Sequence, residues 1–523
     1  MAFRRYVANK DTTITNAYNS TLTVKGTGSN MGASDVTEVF SLYGQASTSS
    51  VEKCRALYSF PISANGGAYK DIYKDRTDGN IAESGSVKFY LRLHNAEHAS
   101  TLPKSASYAI LAVSESWSEG IGLDMEEYKD KGYANWMARS SGTVVNYWGG
   151  GDLDYTGGVF HTASGDSIYS VFQEKGYEDI ELDISELVER WISYVGSSGD
   201  QGAGDFWNPE DGIVVKLSGT YEDGADKRSY YSKKFFARGS QFFFKRPVIE
   251  ARWDDTYKDD RGNFFYSSSL APAANNLNTL YLYNYINGQL TNIPGIGTET
   301  LRVQIYSGSS DDTAPSGTAL TLAVGGGVQA DNTTYITGGY YKTGIYTASF
   351  ALTAAATPLA TLYDVWLTQS ITEGGRAEYS TGSIAATVRE SSQVNFLDTY
   401  TLKITNLKDK YSIEERPRLR LFTRQKNQSP LNIYSKAIAE VQNNIIDDAY
   451  YKVLRSYDGY ETVPFGTGSA VNDYTRLSFD VSGNYFDFDM STLQPGYMYE
   501  FKFAFYLAGD YKEQEQIFKF RVE

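Results

Sequence analysis

The chain has 523 residues, 21% of them charged, with a formal net charge of −15 and a single cysteine. That length predicts several domains, the interspersed acidic excess excludes the clustered basic face of a nucleic-acid binder, and one cysteine excludes any intrachain disulfide. Aromatic residues make up 15% of the chain, with 43 Tyr and 26 Phe, a supply that suits half-buried sheet faces and wet interfaces.

The first residues, Met1-Ala2-Phe3-Arg4-Arg5-Tyr6, lack the apolar stretch of a signal peptide. No run reaches the length of a membrane span. The expectation is a protein made in a host cytoplasm. Strand-like pieces follow at Thr12 to Ala17, Thr21 to Lys25 and Arg55 to Phe60. Val87, Phe89, Leu91 and Leu93 alternate with Lys88, Tyr90 and Arg92, the period of a half-buried strand. Tyr108 to Val113 is a further apolar run. Residues 124–170 carry Asp, Gly, Tyr and Trp with little periodicity and read as long loops.

The strongest helix signal lies at Asp183 to Trp191. Ile184, Leu187, Val188 and Trp191 fall on one helical face, Asp183 is placed to cap it, and Glu186 stands at the capping-box position. Gly212 to Leu217, Tyr230 to Phe236 and Arg246 to Trp253 then read as strands against which so short a helix must lie.

The order of these pieces carries a resemblance. An N-terminal strand, Arg55-Ala56-Leu57-Tyr58-Ser59-Phe60, Val87 to Leu93, Trp117-Ser118-Glu119-Gly120, Trp136, Trp148-Gly149-Gly150, the helix, the Gly212 strand and a final Arg246-Pro247 together resemble a DNRLRE-type β-sandwich. This is a jelly-roll-like domain of cell-surface and phage structural proteins. It implies that residues 1–254 form one such sandwich.

A charged break at Asp254-Asp255-Thr256-Tyr257-Lys258-Asp259-Asp260 marks the next boundary. Residues 255–389, with strands at Leu277 to Tyr285, Leu301 to Tyr306, Gly344 to Phe350, Leu362 to Leu367 and Ser380 to Ile384, are expected to form an immunoglobulin-like sandwich. Residues 390–523 are expected to form a C-terminal β-sandwich that serves assembly. Its strands are Tyr400 to Ile404, Pro417 to Phe422, Ile438 to Val441, Tyr497 to Phe505 and Ile517 to Val522. In Tyr497 to Phe505, five aromatic residues share one face. The whole chain is therefore expected to be all-β, a jelly-roll-like sandwich followed by two smaller immunoglobulin-like ones.

The residue types that carry chemistry are sparse. His94-Asn95-Ala96-Glu97-His98 matches a zinc pattern that needs a helix, yet it continues a strand and reads as loop. His161 has no recognisable partner, and Cys54 reads as a small core residue. Glu115 and Glu119 flank Trp117, as a glycosidase pair would, or are solvated loop charge. Asp152 and Asp154 either offer hard oxygens to Ca²⁺ or are likewise solvated; no other cofactor is expected. Gly149 to Gly151 and Gly325 to Gly327 are turn glycines. Trp117, Trp136 and Trp148 either fill the core or stack on glycans, and Trp191 and Trp207 lie in the same domain.

No constellation reads as an active site. The expectation is a non-enzymatic structural protein of a tailed-bacteriophage virion, in neck, collar, tail or head. Its partners would be other virion proteins and copies of itself, with no nucleic acid and no membrane. The C-terminal sandwich would meet a symmetric partner along its last strand. The runner-up is a carbohydrate-binding adhesin or receptor-binding fibre protein.

Overall fold

A computed structural model describes residues 2–523 apart from 63–70, 100, 126–132, 142–144, 151–155, 164–166, 197–207, 310, 324, 328–332, 356–357, 370–376, 389–399, 427–442, 467–472 and 508. The fold is all-β, with three short α-helices among the described residues. Contacts divide the chain into two compact units, Ala2–Asp254 with Gly468–Tyr474, and Asp255–Thr467 with Thr475–Glu523.

The N-terminal unit contains β1 (Phe3–Val7), β2 (Lys10–Thr15), β3 (Val36–Tyr43), β4 (Val51–Ser59), α1 (Ile72–Thr77), β5 (Val87–Leu93), β6 (Ala106–Ala112), β7 (Ala138–Ser141), β8 (Val145–Tyr147), β9 (Tyr169–Gln173), β10 (Ile180–Asp183), α2 (Ser185–Gly196), β11 (Ile213–Leu217), α3 (Thr220–Asp223), β12 (Tyr230–Phe236) and β13 (Val248–Trp253). One sheet runs β1-β13-β5-β10, and the other β12-β3-β4-β11-β6-β9 with β2 beside β4. β7 and β8 form a separate small hairpin. The chain crosses repeatedly between the two larger sheets, as a jelly-roll-like sandwich requires. In β5 the alternation sends Val87, Phe89, Leu91 and Leu93 inside. The helix face read from sequence is also buried: Ile184, Leu187, Val188 and Trp191.

Two local readings change. Thr21 to Lys25 form a turn closed by a Tyr18–Lys25 bridge, not a strand. Asp183 does accept from the Ser185 N–H at 2.9 Å, but Glu186 accepts from Arg190 at 2.7 Å instead of reaching back as a capping box. The reason is that residue 184, just past the end of β10, is still bonded to β5: its N–H donates to the Phe89 carbonyl.

The C-terminal unit opens with a curled sheet. It is built from β14 (Phe264–Phe265), β15 (Asn278–Tyr283), β18 (Leu301–Gly308), β19 (Pro315–Ser316), β20 (Ile336–Lys342), β21 (Ile345–Phe350), β22 (Thr361–Thr368) and β23 (Glu378–Thr387), with β16 (Tyr285–Ile286) and β17 (Gln289–Leu290) as a small hairpin. The order is β14-β23-β22-β18-β20-β21-β15, with β19 on β18. It wraps a core that includes Leu280, Val303, Tyr346, Phe350 and Trp366. Arg261 ties the start of the unit to this sheet. It donates to Asp364 at 3.1 and 2.6 Å, to Asp259 at 2.6 Å and to the Tyr281 carbonyl at 2.5 Å.

The same unit also holds β24 (Tyr400–Ile404), β25 (Lys410–Tyr411), β26 (Arg418–Gln425), β27 (Ala449–Arg455), β28 (Tyr460–Val463), β29 (Ser478–Asp480), β30 (Gly483–Asp487), β31 (Met498–Leu507), β32 (Asp510–Glu513) and β33 (Phe518–Val522). They make a sandwich of β24-β26-β30-β29 against β25-β33-β31-β27-β28, with β32 on β31. Tyr499, Phe501, Phe503 and Phe505 are buried as one face. Tyr497 stays outside because the strand begins after it. Phe501 stacks on Phe520 with centroids 4.6 Å apart and meets Phe486 of the facing sheet at 5.3 Å. Ile438 to Val441 lie outside the described residues. The edge of β33 is taken by its own chain: β25 pairs with it in parallel, and Glu523 and Tyr411 are hydrogen-bonded at 2.9 Å. At that end it is not the open rim expected of it.

Candidate interaction surface

The three tryptophans considered as a sugar platform are core residues. Trp117, Trp136 and Trp148 are buried with Ile14, Leu57 and Val214. Trp117 donates to the Asp211 carbonyl at 2.8 Å and Trp148 to the Asn135 carbonyl at 2.9 Å. A ring so enclosed offers no face to a glycan. Asp152, Asp154 and Trp207 lie outside the described residues.

The His94 to His98 segment is not helical. The His94 ring instead meets Asp179 at 3.1 Å. Glu115 accepts from the Gly149 N–H at 3.0 Å. Glu119 accepts from the Asp11 N–H at 2.8 Å and from Arg238 Nε at 2.5 Å. Both carboxylates therefore hold loops. Cys54 is buried and donates to the Glu38 carbonyl at 3.3 Å; burial pushes its thiol well up. Among the described residues no three His, Cys, Asp or Glu side chains are grouped to hold a metal ion.

Several charged groups in the N-terminal unit are buried, and their partners define their roles. Arg55, on β4, donates to Glu222 of α3 at 2.6 Å and to the Gly157 carbonyl at 2.6 Å. Its guanidinium lies 4.9 Å from the Trp136 ring centroid. Gly157 has φ +70, and a Cβ there would meet the Trp136 ring at 2.6 Å, so this contact needs a glycine. Glu250, 1% exposed, is opposed by burial but held well below the usual carboxylate range by Arg5, Arg92 and Arg252. Asp11 is raised to about 7, first by burial, yet it is sealed from solvent. Lys233 is fully buried and donates to Asn95 Oδ1 at 2.9 Å and to the carbonyls of Gly176 and Glu178 at 3.0 and 2.7 Å. Burial lowers it to about 8. Each of these groups fixes a loop or strand, and none lines an open cleft with a nucleophile.

The chemistry left at the surface is different. Between β12 and β13 the chain reads Phe242-Phe243-Phe244-Lys245-Arg246 in a tight turn, with the Lys245 N–H on the Phe242 carbonyl at 2.9 Å. Phe242 is 49% exposed and meets Phe236 edge-on at 5.3 Å. Lys245 stands 5.2 Å from Phe236, Arg246 5.6 Å from Phe243, and Arg5 5.9 Å from Phe244. Aromatic rings interleaved with guanidinium and ammonium groups are the composition of interface hot spots. Sequence reading passed over this segment. The signal was three consecutive phenylalanines followed by two cations in a loop, where an apolar run is out of place.

A second exposed cluster sits at the β27–β28 turn. Tyr457 is 88% exposed. Arg455 pairs with Asp458 at 2.9 and 2.5 Å and lies 5.2 Å from the Tyr497 ring.

No family model and no curated protein matches the chain. Among solved structures, it is similar to the N-terminal Ig1-2 module of Drosophila receptor protein tyrosine phosphatase DLAR, at 6% identity, over 47% of this chain and 91% of that one, with a TM-score of 0.13. It is also similar to dimeric latent PorU from Porphyromonas gingivalis, at 8% identity, over 94% of this chain and 34% of that one, with a TM-score of 0.15. Neither likeness brings an activity to this chain.

Proposed function

We propose that the chain is a non-enzymatic structural protein of a tailed-bacteriophage virion, bracing or decorating the neck, collar, tail or head through its β-sandwich modules. Its partners are other virion proteins and copies of itself. The observation that carries this reading is the Phe242–Arg246 surface, an aromatic and cationic patch beside a unit whose buried charges are spent on holding loops. The order of motifs that resembles a DNRLRE-type sandwich supports it. So does the serial arrangement of β-modules with one buried cysteine, because such modules hold their shape without disulfides. The test is incorporation. Phe242→Glu should lower incorporation into particles by about tenfold or more while the melting temperature stays unchanged. Incorporation at the wild-type level would remove the basis for this reading.

The runner-up, a glycan-binding adhesin or fibre protein, is favoured by the Tyr457 cluster, where exposed phenol rings stand beside a bidentate Arg455–Asp458 pair. Retention on a glycan array that disappears in Tyr457→Ala would select this second reading.

A further inference from the structure

The larger sheet of the N-terminal unit ends on β9, and no described strand pairs with its far edge. The strands that end the paths of the two sheets elsewhere in this unit, β12, β10 and β1, are guarded. β12 carries a register shift between Tyr230 and Lys233, and residues 94–96 bond its outer edge: Phe236 N–H donates to the His94 carbonyl and Ala96 N–H to the Lys234 carbonyl. β10 is four residues long and carries Glu181 and Asp183; β1 carries Arg4 and Arg5. Short strands, charges and bulges are the usual protection of an exposed edge. β9 carries neither a charge nor a bulge. Ile168 to Gln173 contains no charge and no proline, and its pairing with β6 runs without a shift. Ile168 and Phe172 are 50% and 60% exposed.

The direction of the free backbone groups follows from β6. Val113 N–H donates to the Gly212 carbonyl, and the Ser107 carbonyl accepts from Ser218 N–H. The odd-numbered residues of β6 thus turn their backbone groups toward β11, and the even-numbered ones toward β9. The β9 partners of those even-numbered residues are Tyr169, Val171 and Gln173. Ile168, Ser170 and Phe172 therefore direct their N–H and C=O groups outward, into solvent.

We propose that β9 pairs antiparallel with β9 of a second copy of this chain, in the register that sets Ser170 opposite Ser170 of the partner subunit, so that the sheet continues through a two-fold dimer. In this register Ile168 faces Phe172 of the partner subunit, and Phe172 faces Ile168 of the partner subunit. All three outward residues fall in hydrogen-bonded pairs, each closing two backbone bonds. Every exposed apolar side chain of the strand meets another, on the same sheet face, in the aromatic–β-branched pairing that strands favour. Charge matching holds as well: the strand is neutral, so two copies of an acidic chain meet here without opposing like charges. A two-fold contact requires such a self-complementary patch. This inference goes beyond the proposed function and stands whether or not the chain belongs to a virion.

The experiment uses the full chain. In sedimentation velocity across about 1–100 µM, the wild type should pass from monomer to dimer. Ser170→Pro removes the central outward N–H without touching the β6 pairing, and Phe172→Lys places a charge on the edge. Each should weaken association by about tenfold or more with unchanged melting. The register is tested by oxidation. Ser170→Cys should form a covalent dimer, because facing residues in a hydrogen-bonded pair stand about 5.5 Å apart at Cα, the separation a disulfide spans. Ile168→Cys should not, since Phe172 stands across from it, and buried Cys54 should not interfere. A wild type that stays monomeric over the range, or Ile168→Cys cross-linking as readily as Ser170→Cys, would overturn the proposal.

Discussion

In the N-terminal sandwich, Glu250 lies among three guanidiniums out of contact with water, and Arg55 meets Glu222 beneath a tryptophan. In the C-terminal sandwich the interior is a pile of rings, Tyr451, Phe486, Phe488, Phe501 and Phe520. Pairs such as Arg418–Asp487 there stand with 46% and 42% of their side chains in water. Two sandwiches of similar architecture thus rest on different forces. One needs the completeness of a charge network, since a buried ion is tolerable only when its partners are present. The other needs shape, because rings that interdigitate lose contacts when one is removed.

The largest expected effects break this contrast directly. Glu250→Gln leaves Arg5, Arg92 and Arg252 without their common anion and should destabilise the N-terminal unit by about 3–5 kcal/mol in urea titrations. Phe501→Ala should cost the C-terminal unit a similar ~3–5 kcal/mol. The two differ in their response to acid. Because the folded carboxyl of Glu250 is held below its ordinary value of 4.5, its stabilisation is complete above that pH and is lost progressively as pH falls below it. Acid should therefore erode the wild-type N-terminal unit and flatten the difference from Glu250→Gln, while the Phe501→Ala difference keeps its size.

A middle-sized effect sharpens the same point. Lys233→Met leaves the Asn95, Gly176 and Glu178 oxygens unmatched and should cost about 1–3 kcal/mol. Folding lowers this lysine from 10.5 to about 8, so the unfolded chain binds the extra proton between those values. Wild-type stability should rise with pH across about 8 to 10.5, a rise that Lys233→Met abolishes. The smallest effect belongs to Arg418→Met. With its partner pair open to water, the loss should stay under about 1 kcal/mol and shrink further in salt.

What the sequence disclosed follows the range of each interaction. The α2 face and the strand at Tyr499 to Phe505 were legible because each repeats at the period of its own element. So were β5 and β13, and with them the all-β class. The capping role of Glu186 was misread, because the Ile184 bond to Phe89 belongs to a strand ninety-odd positions earlier in the chain. The tryptophans could be read either way until their neighbours were known, since Ile14 and Val214 sit with them only through the fold. Arg55 and Glu222 are 167 residues apart, and no local pattern links them. The Phe242–Phe244 run is visible in the sequence but lies in a turn between two strands, where no periodicity marks it.

The N-terminal unit includes Tyr474, whose ring stacks on Phe3 at 5.4 Å and lies 5.3 Å from the Arg252 guanidinium. That tyrosine is synthesised 220 positions after Asp254 (474 − 254). At about 5–20 residues per second, the ribosome needs roughly 10–45 s to deliver it. During translation the first sandwich must therefore persist without the Tyr474 ring against Phe3 and Arg252, and this piece is added only 220 residues after Asp254. A nascent chain arrested at residue 254 should be more sensitive to protease than the same residues in the released protein.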